Sequence, residues 1–173
     1  VRAVRGQGLL PDTGQTLCYD FPGAEIDCEG AICPGQDGFY KTGCASDGTR
    51  FTDNGDGTVT DNCTGLMWQQ DTANTNGIGG IDDDDTLLWC AALTYCEGTL
   101  NAGGGFAGKT GWRLPNIREI QSIADYGGLQ TRGTYPAFGE QSTHSQQGSS
   151  WYWSSTSRAD APSQAWRVIF TGA

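Results

Sequence analysis

WRLPNIREIQSIAD, residues 112–125, contains the clearest helix start in the chain. Leu114 precedes a proline, so its backbone is held in an extended conformation. Asn116 is a favourable N-cap residue, and Glu119 lies three positions later, where its side chain can close a capping box. Apolar residues then recur at helical spacing, which predicts a buried face of Ile117, Ile120, Ile123 and Ala124.

The segments on either side of this helix are glycine-rich. Gly127-Gly128 is expected to end the helix, and the ring of Trp112 is expected to pack beneath its start. Residues 103–110, GGGFAGKT, fit the pattern of a phosphate-binding loop. That chemistry requires a strand before the loop and a helix directly after it, whereas here a helix precedes and extended chain follows. We therefore interpret this segment as a loop between two helices.

The preceding helix is predicted for residues 87–100, LLWCAALTYCEGTL. Its apolar spacing predicts a buried face of Leu88, Ala91, Ala92 and Tyr95. Cys90 and Cys96 both lie on this helix, roughly 9 Å apart along its axis at about 1.5 Å per residue. This separation is too large for a mutual disulfide. Each is expected to pair elsewhere, and Cys63 is the predicted partner of one of them.

The composition is that of an acidic, loop-rich domain from an oxidising compartment. The 173 residues include 27 glycines and carry a net charge of −10, which argues against nucleic acid and anionic membrane surfaces as partners. No apolar run is long enough for membrane insertion. Seven cysteines without a CxxC pair favour structural disulfides over zinc binding or thioredoxin chemistry. The odd count leaves one thiol free or bonded to another chain.

All seven cysteines are disulfide candidates: Cys18, Cys28, Cys33, Cys44, Cys63, Cys90 and Cys96. The first four lie in residues 7–49, which show little hydrophobic periodicity. We predict that this segment is a Cys-rich connector stapled by disulfides, with almost no core of its own. Pairing among its four cysteines allows three connectivities, and the sequence does not choose between them.

Short antiparallel strands are predicted on both sides of the two helices. Residues 50–61, RFTDNGDGTVTD, predict a β-hairpin, because NGDG supplies the positive φ angles that a tight turn needs. An EF-type calcium loop does not fit there, since its first position falls on Thr52. Residues 64–69 predict a buried strand. Residues 151–156 and 165–170, WYWSST and AWRVIF, predict a second hairpin.

Four adjacent carboxylates, Asp82, Asp83, Asp84 and Asp85, form the candidate metal site. They repel one another unless they are solvated or bound to a cation. Calcium is the candidate cofactor, because Asn74, Asn76 and backbone carbonyls could complete an oxygen shell. The alternative is a solvated loop in which Asp85 or Thr86 caps the following helix.

Five motifs in this order carry a family resemblance: DNGDGTVTDNCTGLMWQ, LLWCAALTYC, GWRLPNIREIQSIADY, YWSST and AWRVIF. Over about residues 50–172 the chain resembles the bacterial domain family named after the C-terminal domain of the Legionella collagen-like adhesin. The resemblance implies a C-type-lectin-like α+β fold, similar to sulfatase-modifying-factor folds. In such a fold two helices pack on small twisted antiparallel sheets with long loops. It also implies a secreted or surface-anchored bacterial protein. The best-known member adheres through glycosaminoglycans, a ligand that this acidic chain is not expected to share.

The first six residues, VRAVRG, match the strand that usually closes this family's domain after AWRVIF, and the chain lacks that strand at its other end. We therefore predict three parts. Residues 1–6 are a strand like the closing strand of a preceding or neighbouring copy, 7–49 are the connector, and 50–173 are a lectin-like domain without its usual last strand. The candidate polymer contacts are Val1, Arg2, Ala3, Val4 and Arg5, because an unpaired sheet edge favours strand addition. The alternatives are that the match is a coincidence, or that the strand folds back into its own sheet.

Two functions are compatible with these features. The first is a repeating or polymerising unit of a bacterial surface fibre or adhesin, with other copies as partners, joined by strand exchange or tandem linkage. The second is a stand-alone module that binds glycans or host or cell-surface proteins through exposed aromatic residues such as Trp151 and Tyr152. An enzyme is not expected, because His144 has no Ser-His-Asp set around it and similarity of fold does not carry function.

Overall fold

A computed structural model describes residues 13, 15–30, 36–40, 43–44, 50–75, 86–126, 137–138 and 150–170. Its strands are β1 (Cys18–Tyr19), β2 (Glu25–Ile26), β3 (Phe51–Asp53), β4 (Thr58–Asp61), β5 (Met67–Gln69), β6 (Ser150–Ser157) and β7 (Ala165–Phe170). Its helices are α1 (Asp37–Tyr40), α2 (Trp89–Glu97) and α3 (Ile117–Gln121). The strands form three antiparallel sheets, β1–β2, β3–β4–β5 and β6–β7. The predicted α+β architecture with small antiparallel sheets is confirmed.

The first predicted hairpin is present, and the strand after it is shorter than predicted. β3 pairs with β4 so that Phe51 lies opposite Asp61, and the turn between them has positive φ at Gly55 and Gly57. β5 starts at Met67 instead of at position 64. The chain turns at residues 62–64 before it re-enters the sheet, because groups in this turn donate hydrogen bonds to the Asp61 carboxylate.

Helix α3 begins as the sequence predicts. The side chain of Asn116 accepts hydrogen bonds from the backbone N–H groups of Arg118 and Glu119, at 2.9 and 3.0 Å. The carboxylate of Glu119 accepts in return from the Asn116 N–H at 2.8 Å, so the capping box is complete. Glu119 also forms a bidentate pair with Arg113, whose hydrogen bonds hold the pKa of the Glu119 carboxyl below its usual value.

Helix α3 ends earlier than the sequence predicts. Its C-cap is Ser122, five residues before the Gly127-Gly128 pair that was expected to end it. The Ser122 hydroxyl donates to the carbonyl of Glu119, and the Ser122 carbonyl accepts from the Arg50 guanidinium at 2.9 Å. The carbonyls of Glu119 and Ser122 therefore have partners other than the backbone N–H groups of a further helical turn. The contact with Arg50, which is distant in sequence, ends the helix before the glycine pair is reached.

Replacing Asn116 with alanine is expected to lower the free energy of unfolding by about 1 kcal/mol, the usual effect of losing a side-chain N-cap. Urea unfolding followed by circular dichroism measures this change. The control is Arg118→Ala, because Arg118 is exposed on the same helix. A variant at position 116 that unfolds at the wild-type urea concentration would contradict the stabilising role of the capping box.

The hydrophobic core lies where α3 meets β4 and β7. Its buried members are Val59, Ile120, Ile123, Phe138 and Phe170. Ile117 and Ala124 pack against this cluster, so all four predicted apolar residues face the core, although Ile123 and Ala124 lie after the end of α3.

Helix α2 is confirmed, but its predicted buried face is partly wrong. Ala92 is buried and Tyr95 is half-buried, whereas Ala91 is exposed and Leu88 is 83% exposed. The helix is turned because the indole N–H of Trp89 donates to the carbonyl of Ser154 on β6, at 3.0 Å. The inward face therefore centres on positions 89, 92 and 96.

The start of α2 and the loop after it also differ from expectation. Leu88 is the N-cap and provides no side-chain hydrogen bond, so Thr86 is not the cap, and Asp85 lies outside the described residues. The GGGFAGKT segment is an interhelix loop as predicted, built from two short 3-10 turns. The ring of Trp112 packs edge-on against Phe106 in this loop, with its N–H donating to the Lys109 carbonyl. The predicted packing of Trp112 beneath the start of α3 stays a prediction.

The disulfide pairing predicted from the sequence is wrong. Cys44 bonds to Cys63, with Cα atoms 5.7 Å apart, so Cys63 is not the partner of either α2 cysteine. Cys18 bonds to Cys28, with Cα atoms 5.2 Å apart. Cys90 and Cys96 are free thiols. Cys33 lies outside the described residues.

The two disulfides have different roles in the fold. Cys18–Cys28 closes the β1–β2 ribbon within the connector, while Cys44–Cys63 ties the connector to the end of β4. The four connector cysteines therefore do not pair solely among themselves, as the three connectivities assumed. The spacing of cysteines along the chain gave no information on this choice, because it depends on which surface of the domain the connector reaches.

Candidate functional site

The outer face of the β6–β7 hairpin carries a stack of tryptophan and arginine side chains. The antiparallel register places Trp151 opposite Ile169 and Trp153 opposite Arg167. Opposed residues and alternate residues of a strand share one face of a sheet. The guanidinium of Arg167 lies 4.2 Å from the ring centre of Trp151 and 5.1 Å from that of Trp153. Arg167 therefore sits between two indole rings, which is a favourable cation–π arrangement.

This stack, Trp151–Arg167–Trp153, is fixed at one end and open at the other. The indole N–H of Trp153 donates to the carbonyl of Leu87 at 2.9 Å, which holds the ring against the start of α2. Trp151 is 54% exposed. Within the described part of the chain Arg167 has no carboxylate partner. The face therefore presents an aromatic surface and an exposed guanidinium that forms no ion pair with any carboxylate the structure describes.

Tyr152 points to the opposite face of the hairpin. Its ring packs against Phe170 at 5.3 Å between centres, and its hydroxyl lies 2.7 Å from that of Thr72. Of the two tentative ligand-binding aromatics, Trp151 alone lies on the exposed face. Tyr152 belongs to the packing around the core, because adjacent residues of a strand alternate between faces.

A cavity of about 650 Å³ lies between β5, α2, α3 and the β6–β7 hairpin. This volume is in the range of small-molecule sites. Its lining residues include Trp68, Cys96, Trp112, Ile120, Trp151 and Arg167. The stack and the cavity are therefore continuous, with Trp151 and Arg167 belonging to both.

Three of the ionisable side chains in the cavity wall are Cys96, Arg113 and Glu119. Burial raises the pKa of the Cys96 thiol to about 11, and the nearby carboxylate of Glu97 acts in the same direction. The thiol is therefore protonated at neutral pH and is a poor nucleophile. Arg113 and Glu119 also line the cavity, and their side chains pair with each other through two hydrogen bonds.

Several predicted site residues lie outside the described residues. These are the candidate calcium ligands Asp82–Asp85 and the candidate polymer contacts Val1–Arg5. His144, to which the sequence assigned no catalytic role, also lies outside the described residues. Calcium binding at Asp82–Asp85 stays a prediction. Among the residues that the structure describes, no group of three or more His, Cys, Asp or Glu side chains could hold a metal ion.

The outer edge of β7 has no partner strand among the described residues. β6 and β7 form a two-stranded sheet, and β7 uses its inner edge to pair with β6. The other edge of β6 is partly used, because the Ser155 N–H donates to the Pro115 carbonyl at 2.8 Å and the Ser154 carbonyl accepts from Trp89. No equivalent bond involves the outer edge of β7 in the part of the chain described.

Sequence reasoning identified Trp151 but missed its partner. The sequence analysis gave Arg167 no functional role. The signal was present: WYW and WRV lie in two strands predicted to form one hairpin, so a tryptophan of one strand could lie beside an arginine of the other. The register, which decides the pairing, was not available from the sequence.

The fold and site define a disulfide-stabilised α+β module with an aromatic surface and without a recognisable catalytic set in its described residues. Residues 57–173 match the model of the Lcl C-terminal domain family, and the chain belongs to this family. No curated protein and no solved structure matches the chain. Among the described residues no helix has both the length and the apolar character to cross a membrane. Family and disulfides together are consistent with a secreted surface module in an extracellular location.

Proposed function

We propose that this domain is a non-enzymatic unit of an extracellular bacterial surface fibre or adhesin, with a C-type-lectin-like fold, in which a strand from another copy adds to the outer edge of β7. The observation that carries this proposal is the outer edge of β7, which has no partner strand in the part of the chain that the structure describes. The Lcl C-terminal domain family and the two disulfides support the extracellular setting.

Among the described residues, β7 has a six-residue outer edge without a partner strand, and such an edge is a template for another chain. Alternate residues of a strand direct their N–H and C=O groups to the same side, so this edge offers a row of donors and acceptors to an added strand. Its inner face is buried, since Phe170 is in the core and Val168 packs against it. A strand added here would therefore extend a sheet that already covers the core, which is the favourable case for strand addition.

Residues 1–5, VRAVR, have the composition of such a strand. Two valines suit a pleated, half-buried surface, and the arginines can remain in solvent. The two arginines are also attracted to an acidic acceptor, because each copy carries a net charge of −10. In this proposal Val1–Arg5 of one copy pairs with β7 of the next, and the fibre grows by repetition of that contact.

Electron microscopy of Ala3→Pro tests the proposal. Proline has no backbone N–H and cannot take part in a central ladder, so this variant is expected to form no filaments at concentrations where the wild-type chain forms them. The matched control is Ala3→Ser, which keeps the N–H and is expected to form filaments. Filaments of Ala3→Pro as abundant as those of the wild type would overturn strand addition, as would a wild-type chain that stays dispersed.

The alternative function is a stand-alone module that binds glycans or proteins, and the stack Trp151–Arg167–Trp153 favours it. Sugar rings stack on exposed aromatic faces, and a guanidinium donates hydrogen bonds to carboxylates or hydroxyls. Dispersed wild-type monomers whose binding to a glycan array is lost in Trp151→Ala would support this alternative. The two functions can coexist in a fibre that adheres.

A further inference from the structure

An exposed aromatic surface lies in the connector, outside the segment matched by the family. It comprises Leu17, Tyr19, Phe21, Phe39 and Tyr40, and we call it the connector surface. Phe21 is 95% exposed, and the other four are between 37% and 60% exposed. Their exposed area is roughly 500 Å² if an aromatic side chain is taken as about 200 Å². The largest apolar patch on a typical monomer is about 300–600 Å² and is often functional, so this surface is a candidate interaction site.

The connector surface is held in shape by polar contacts at its base. The side chain of Gln36 accepts from the Tyr19 N–H and donates to the Tyr19 carbonyl, which fixes α1 beside β1. Gly38 of α1 is buried, and a Cβ there would lie 2.3 Å from the Leu17 carbonyl oxygen, so the two elements are in direct contact. Phe39 and Tyr40 stack edge to face at 5.1 Å. The aromatic groups are therefore presented by a braced structure.

The charge around the connector surface restricts what can cover it. Residues 15–40 contain five carboxylates and no basic residue, and the nearest basic residue in the sequence is Lys41. Three of these carboxylates, Glu25, Asp27 and Glu29, belong to exposed residues. A partner must bring apolar area together with positive charge, since like charges across an interface are unfavourable.

The outer face of the β6–β7 hairpin has these properties. It carries Trp151, which is 54% exposed, and the guanidinium of Arg167, which has no carboxylate partner among the described residues. By contrast, Arg50, Arg113 and Arg158 each form an ion pair with a carboxylate. Aromatic and arginine side chains are also the residues enriched in protein interfaces.

We propose that the connector surface of one copy binds the Trp151–Arg167–Trp153 stack of a second copy. The two surfaces differ, so the contact is heterologous, and such a contact produces open assemblies unless rotation closes a ring. This inference depends on the association of copies put forward above, but not on strand addition. The contact would be a second one between copies. It would be formed by side chains, and salt would weaken it.

The test uses the full-length chain carrying Ala3→Pro, so that strand addition is absent. Sedimentation velocity over a concentration series is expected to show reversible association that weakens as salt is raised. Phe21→Ser and Arg167→Glu should each weaken association at least tenfold. The matched controls are Trp166→Ser, since Trp166 is 49% exposed and alternates with Arg167 across β7, and Arg118→Glu, since Arg118 is exposed on α3; neither should change association.

A mixing experiment then separates this contact from a symmetric one. Phe21→Ser retains the stack and Arg167→Glu retains the connector surface, so the mixture is expected to form one-to-one dimers that grow no further. Arg167→Gln serves in place of Arg167→Glu if the latter has a lowered melting temperature. Monomers at all concentrations, equal effects of the control variants, or a mixture that fails to pair would each overturn the inference. None of these results concerns strand addition, which is tested separately by the loss of filaments in Ala3→Pro.

Discussion

Replacing Asp61 with asparagine is expected to lower the free energy of unfolding by about 3–5 kcal/mol, the range measured when one partner of a buried ion pair is removed. The Asp61 carboxylate is fully buried and pairs with the guanidinium of Arg50, itself 2% exposed, through bonds of 2.8 and 3.1 Å. It also accepts from the Cys63 N–H and the Thr64 hydroxyl. An amide would keep part of this geometry but would leave the Arg50 charge without its carboxylate.

The same pair links three parts of the fold, which is why a large effect is expected. Arg50 precedes β3, Asp61 ends β4, and the guanidinium reaches on to the carbonyl of Ser122 at the end of α3. Urea unfolding gives the change in free energy. The control is Asp160→Asn, which breaks the exposed pair with Arg158 and should have no measurable effect. Equal unfolding midpoints for the two variants would show that the buried pair contributes nothing specific.

The pH dependence of stability gives a second view of Asp61. Burial acts to raise the pKa of this carboxyl, but the hydrogen bonds from Arg50, Thr64 and Cys63 outweigh burial and lower the pKa below its usual value. A group with a lowered folded-state pKa stabilises the fold above its unfolded pKa of about 4, and this contribution is lost as the pH falls through the folded value. The wild type should therefore lose stability below about pH 4 more steeply than Asp61→Asn does.

Features that depend on neighbouring residues in the chain were predictable from the sequence. The capping box of α3, the NGDG turn and the two strands of the β6–β7 hairpin all follow from local backbone chemistry. Each is a case in which one or two side chains satisfy nearby backbone groups or allow a positive φ. The face of α3 was also predictable, because its apolar periodicity is strong.

Features that depend on contacts distant in sequence were not predictable. The end of α3 is set by Arg50, and the rotation of α2 by the bond from Trp89 to Ser154. The partner of Cys63 is set by where the connector meets β4. The candidate site shows the same division: exposed aromatic residues could be named from the strand pattern, whereas the Trp151–Arg167 contact required the register of the hairpin.

Replacing Asn101 with alanine is expected to lower the free energy of unfolding by about 2–3 kcal/mol, because several backbone groups lose their partner at once. The Asn101 amide nitrogen lies 2.9–3.1 Å from the carbonyl oxygens of Cys96, Glu97 and Trp112. Its side-chain oxygen accepts from the N–H groups of Gly111 and Trp112, at 2.7 and 2.9 Å. One side chain therefore caps the end of α2 and holds the extended segment that leads to α3.

Substitutions at position 101 can test the hydrogen-bonding groups of the side chain separately from its size. Asn101→Asp has nearly the same shape, but it replaces the donating nitrogen with a second acceptor that faces carbonyl oxygens. It should therefore be no more stable than Asn101→Ala at neutral pH. Thr94→Ala, which removes a single bond to the Cys90 carbonyl on the exposed side of α2, should change the free energy by less than about 0.5 kcal/mol. If Asn101→Asp unfolded at the wild-type urea concentration, the donated bonds would not be what joins α2 to the segment before α3.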